Sequence, residues 1–117
     1  MNFGPYVRRA REELLASGKG SFSLRAVAQS VEIEPTYLSK IETEKLPPPS
    51  EAVIVKLAAV LGEDPDVLLA LGGKVSSDLL GIIQTHPKAF AALLRQLRGR
   101  SEKTIDRLAH DVRDGKW

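Results

Sequence analysis

Thr36, Lys40 and Thr43 recur at i, i+4 and i+7 within SVEIEPTYLSKIE, so they fall on one stripe of a helix. Tyr37 and Ser39 flank that stripe. The set offers hydroxyls, which donate and accept, and one ammonium, which only donates. That is the chemistry of docking on a polar or anionic surface, not of making and breaking bonds. Taken without context, the same three residues are also ordinary solvated helix surface.

Nothing elsewhere in the chain assembles a catalytic set. There is no cysteine, so no disulfide and no thiolate metal site can form. His86 precedes Pro87 and His110 lies far along the chain, each without a second ligand at metal spacing. No serine–histidine pair, paired carboxylates or G-x-x-x-x-G-K loop stands out. The expectation is a protein that is not an enzyme, with no metal and no cofactor.

The elements that hold the stripe can be read from spacing and caps. Pro35 lacks an N–H and has helical φ, so it belongs at the first position of a helix over about 35–43. Leu38 and Ile41 then point inward, opposite Thr36 and Lys40. A preceding helix starts at the Ser23 cap and buries Leu24, Val27, Ala28 and Val31 at i, i+3, i+4 and i+7. Small Ala28 allows a close crossing, and Ile33 pins the corner. Two short helices joined by about four residues form a helix-turn-helix, whose outer face is free to enter a major groove.

The rest of the chain is patterned the same way. A first helix is expected from about Pro5 to Ser17, ended by Gly18. A fourth runs from the Ser50 cap to Leu61 with Gly62 as its stop, and Asp64-Pro65 opens a fifth through Leu71. After Gly72-Gly73 come three more apolar stripes: Leu79 to Ile83, Phe90 to Leu97 behind Pro87, and Ile105 to Val112 behind Ser101. No stretch alternates with period two, so the fold class expected is all-α. Residues 1–72 form one domain, with its helix-turn-helix at about 23–44, and residues 76–117 form a helical extension.

The 117 residues carry a formal charge of +2 and a pI near 9.0, too slight a bias to name a partner. No apolar run approaches the roughly 20 residues that span a bilayer, and the first residues lack the apolar core of a secretory signal. A cytoplasmic, nucleoid-associated protein with no membrane contact is expected.

Two stretches, FSLRAVAQSVEIEPTYLSKIE and PPSEAVIVKLAAVLGEDPDVLL, resemble the Cro/cI-type (XRE-like, lambda-repressor-like) helix-turn-helix domain, over roughly residues 5–72. The resemblance implies a five-helix domain that binds double-stranded operator DNA as a homodimer, mostly in transcriptional repression. It places base reading on Thr36 and Lys40. Contacts to DNA backbone or sugar fall on Arg25, Tyr37, Ser39, Thr43 and Lys45. It makes Glu42 a structural brace, paired with Arg8 or Arg11 of the first helix.

Three positions depart from the pattern. Glu32 stands where the tight turn commonly has glycine, and a left-handed Glu32 costs about 1–2 kcal/mol. Leu24 replaces a glutamine that contacts DNA, so that contact is expected to be absent and Leu24 to join the core. The loop ASGKGSF is several residues longer than usual and reads as a connector, although Lys19 and Ser21 are within reach of a phosphate.

The extension carries a leucine stripe beside Lys88, Arg95, Arg98, Arg100 and Lys103. Its apolar face is too large to leave wet, and self-association is the preferred expectation, giving a dimer on a two-fold symmetric operator. The competing expectation is an antitoxin or adaptor whose residues 76–117 bind a protein partner, with or without DNA autoregulation. An RNA binder is disfavoured by the lack of an aromatic stacking platform.

Overall fold

The computed structural model describes residues 2–18 and 20–117, and every regular element among them is helical. The helices are α1 (Phe3–Ser17), α2 (Leu24–Ser30), α3 (Pro35–Glu42), α4 (Glu51–Leu61), α5 (Pro65–Leu71), α6 (Ser77–Thr85), α7 (Pro87–Leu97) and α8 (Glu102–Arg113). The chain divides after Ser77 into two compact units. Lys19 of the α1–α2 loop lies outside the described residues.

Helix α1 begins two residues before the position that Pro5 suggests, at Phe3 after the Asn2 cap. The first four N–H groups of any helix lack an intrahelical acceptor, so Pro5 is tolerated at the third position as well as at the first. The two added residues matter. Phe3 is buried, and Gly4 lies so close to the end of α3 that a Cβ there would collide with the carbonyls of Ile41 and Glu42. Glycine at position 4 is therefore what lets α1 reach the end of α3.

Helices α2 and α3 start and stop by local chemistry. The Ser23 hydroxyl accepts from the Ala26 N–H, and Pro35 occupies the first turn of α3 behind an extended Glu34. Both helices end in the same way. In α2 the N–H of Glu32 donates to Gln29 O and that of Ile33 to Ala28 O. In α3 the N–H of Glu44 donates to Ile41 O and that of Lys45 to Lys40 O. These are Schellman closures, which need a left-handed residue and usually take glycine.

Here that residue is glutamate twice, with φ 61° at Glu32 and 63° at Glu44. The same closure after α5 uses Gly73 at φ 73°, where no Cβ is present to strain. Glu32 therefore keeps the tight turn and carries its strain. Its exposed contact to Lys56 at 3.4 Å returns little. Glu32→Gly is expected to raise unfolding free energy by about 1 kcal/mol in urea titrations, with helix content unchanged.

The core sits where the helices cross. Val7 of α1, Val27 and Ala28 of α2, Leu38 and Ile41 of α3, Ile54 and Leu57 of α4, and Leu68 and Leu69 of α5 are all buried. Leu24 is half-buried against this core, as is Ile33, which pins the corner without being fully enclosed. Each large side chain so buried stabilises by about 1.5–3 kcal/mol. Ser50 caps α4 and Asp64 caps α5, accepting from the N–H groups of Val53 and Asp66. The Glu63 side chain beside Tyr6 of α1, then burial, raises the phenol pKa above its ordinary value.

The second unit has a different character. No residue of α6, α7 or α8 is buried. Pro87 opens α7, and Ser101 caps α8 by accepting from the Thr104 N–H. Leu79, Leu93, Leu94, Ile105, Leu108 and Val112 are exposed.

Candidate nucleic-acid interface

Leu38 and Ile41 are fully enclosed, which fixes the rotation of α3 about its axis and turns Thr36 and Lys40 outward. Both are exposed, one turn apart. Tyr37 and Ser39 are half-buried at the flanks, with Tyr37 packed against the core. Exposed Thr43 is the C-cap of α3, and its hydroxyl donates to the Ser39 carbonyl at 2.8 Å. In that rotamer Thr43 presents lone pairs outward, not a proton, so it is a poorer phosphate donor than its residue type implies. Lys45 follows the closure of α3 and Arg25 is the second residue of α2; both are exposed.

A buried ion pair holds α3 from behind. Arg11 Nε donates to Glu42 Oε2 at 2.8 Å and Nη2 to Oε1 at 2.9 Å, a two-point bridge from α1 to α3. Arg11 Nη1 also donates to the Phe22 carbonyl at 3.2 Å, just before the Ser23 cap. One guanidinium thus links α1, the entry to α2 and the end of α3. The two residues are 7% and 4% exposed, so removing either partner would strand the other's charge away from water. The hydrogen bonds to Glu42 outweigh burial and hold the Arg11 pKa above its ordinary high value. Arg8, the other candidate partner, instead meets Glu12 at 3.4 Å on the exposed face of α1.

Ion pairing sorts the positive charge. Among the described residues up to Ser77, Arg8, Arg9, Arg11 and Lys56 each meet a carboxylate. Arg25, Lys40, Lys45 and Lys74 do not, and three of these four belong to the helix-turn-helix or the residue that closes it. The cations left free for an outside anion are therefore concentrated around α2 and α3. The i, i+4 spacing of Arg8–Glu12 and Arg9–Glu13 is a usable sequence signal for half of this sorting. The link from Arg11 to Phe22 has no sequence signal.

The acidic residues of the stretch are accounted for locally. Glu34 is the extended N-cap of α3, where negative charge is favoured by the helix dipole although its side chain makes no capping bond. Glu32 and Glu44 close the two helices. Glu42 is the brace. Among the described residues no group of His, Asp and Glu could hold a metal ion, and no helix is long and apolar enough to cross a membrane.

No curated protein and no solved structure matches the chain significantly. A family model described as a helix-turn-helix domain matches residues 2–71, which span α1 through α5. With more than half of its length matched, the chain belongs to the helix-turn-helix domain family.

Proposed function

We propose that this protein is a sequence-specific regulator that binds double-stranded DNA, of the Cro/cI, lambda-repressor-like kind, acting as a dimeric repressor on a two-fold symmetric operator. The observation that carries the reading is the outward face of α3, with Thr36 and Lys40 exposed beside free cations at Arg25 and Lys45. Thr36 and Lys40 read base edges, with the lysine ammonium donating to guanine O6 or N7. Arg25, Tyr37, Ser39 and Lys45 set register on phosphate and sugar, and Thr43 joins them when its hydroxyl turns from the Ser39 carbonyl to donate to a phosphate. The protein does no chemistry on its ligand.

Dimerisation follows from the reach of one module. A single α3 contacts only a few base pairs, and two copies are needed for useful affinity. The exposed leucine and isoleucine side chains of α6–α8 supply the apolar surface for it. The test is solution mass together with duplex binding across a salt series. A dimer whose log K falls linearly with log salt supports the proposal. A monomer that binds no duplex at low salt, yet captures a protein through residues 76–117, would replace it with the antitoxin or adaptor reading.

A further inference from the structure

The charge of the chain is unevenly divided. Residues 1–77 hold nine Lys and Arg against ten Asp and Glu, a net of −1, whereas residues 78–117 hold eight against five, a net of +3. The unit that bears the reading helix is therefore slightly acidic. Its free cations near α3 are Arg25, Lys40 and Lys45. Nonspecific attraction to a polyanion must come largely from elsewhere.

The densest source is α7 and the turn after it. Lys88, Arg95, Arg98 and Arg100 lie between Pro87 and Ser101, a stretch without a single Asp or Glu. All four are exposed, and none forms an ion pair. Arg100 Nε donates only to the Gln96 carbonyl. On the wheel of α7, Lys88 and Arg95 stand at i and i+7, about two turns and 10 Å apart, opposite the stripe of Phe90, Leu93 and Leu97. Whatever that stripe packs on, burying it leaves the two cations facing out.

We infer that this basic face, Lys88 and Arg95 continued by Arg98 and Arg100, is a second DNA-contacting surface that binds duplex phosphates and supplies the larger share of the salt-dependent affinity. It reads no bases. The inference rests on the duplex-binding reading above. An anionic membrane fits less well, because the neighbouring α8 and its end carry Glu102, Asp106, Asp111 and Asp114, which an anionic bilayer would repel over its whole plane. A duplex engages only the stretch laid against it.

The test compares the full chain with its Lys88→Gln/Arg95→Gln/Arg98→Gln/Arg100→Gln variant, using a mixed-sequence duplex and a selected preferred one. The slope of log K against log salt is expected to become shallower by about 0.9 for each phosphate that is no longer neutralised, up to about 3.6 per protomer. The ratio of preferred to mixed-sequence affinity stays unchanged. A second variant, Arg95→Lys/Arg98→Lys/Arg100→Lys, keeps the charges and is expected to keep the slope. A quadruple variant with unchanged slope and unchanged helix content overturns the inference while leaving the duplex-binding reading intact. If the parent chain binds neither duplex at low salt, that reading fails, and the inference with it. A quadruple variant that no longer binds phosphatidylserine vesicles, with duplex affinity untouched, would assign the face to membranes instead.

Discussion

Glu42→Ala is expected to cost about 3–5 kcal/mol of unfolding free energy, the usual result of removing one partner of a buried pair. Against a total of about 5–15 kcal/mol for a domain, that change leaves little reserve. The midpoint of thermal unfolding should fall by on the order of 20 °C. The cause is geometric: the carboxylate that satisfied both ends of the Arg11 fork at 2.8 and 2.9 Å is gone, and the guanidinium left behind is only 7% exposed to solvent. Glu12→Ala, which breaks the exposed pair with Arg8, should shift stability by no more than about 0.5 kcal/mol. Arg11→Met combined with Glu42→Leu should restore much of the stability, since apolar residues of similar volume often replace a buried pair without cost. Urea titration of the parent and these three variants checks the series. Equal destabilisation by Glu12→Ala and Glu42→Ala would rule out Glu42 as the brace.

The second large effect is on recognition. Lys40→Ala is expected to cost about 1–3 kcal/mol at a single base position and to relax preference there, while other positions keep theirs. Lys45→Ala and Arg25→Ala should behave differently, weakening all sequences alike and flattening the salt slope by about 0.9 each. The contrast follows from placement. Lys40 projects from the exposed face of α3 within its last turn, whereas Lys45 lies past its end and Arg25 on the preceding helix. Binding of a duplex panel that differs one position at a time separates the two behaviours. A flat panel for Lys40→Ala and Thr36→Ala together would move the reading face off α3.

Much of this arrangement is legible in the residues alone. Ser23, Ser50, Asp64 and Ser101 cap their helices because a short side-chain oxygen before an apolar-periodic run has few other local uses. Pro35 marks the start of α3 because a proline behind an extended residue cannot continue a helix but can begin one. Pro5 misleads by two residues, since the first turn tolerates proline at several positions and the signal for Phe3 and Gly4 is tertiary.

The choice between Arg8 and Arg11 is equally out of reach of the sequence. They stand three positions apart, almost one turn, so both lie on neighbouring faces of α1, and only the position of α3 decides which meets Glu42. Glu44 is the clearest omission. Residue type makes it awkward on an anion-binding face, but its role in closing α3 at φ 63° depends on backbone geometry that the same residue type argues against. The partner of the α6–α8 stripes is not encoded in their spacing, because an amphipathic helix specifies that it is covered and not by what.

Selection of bound duplexes from a random pool tests the central claim most directly. A two-fold symmetric motif, with half-sites about one helical turn apart and one position that loses its preference in Lys40→Ala, is the predicted outcome. A pool that emerges with no enriched sequence, from protein that is folded and binds duplex, would contradict base reading by α3.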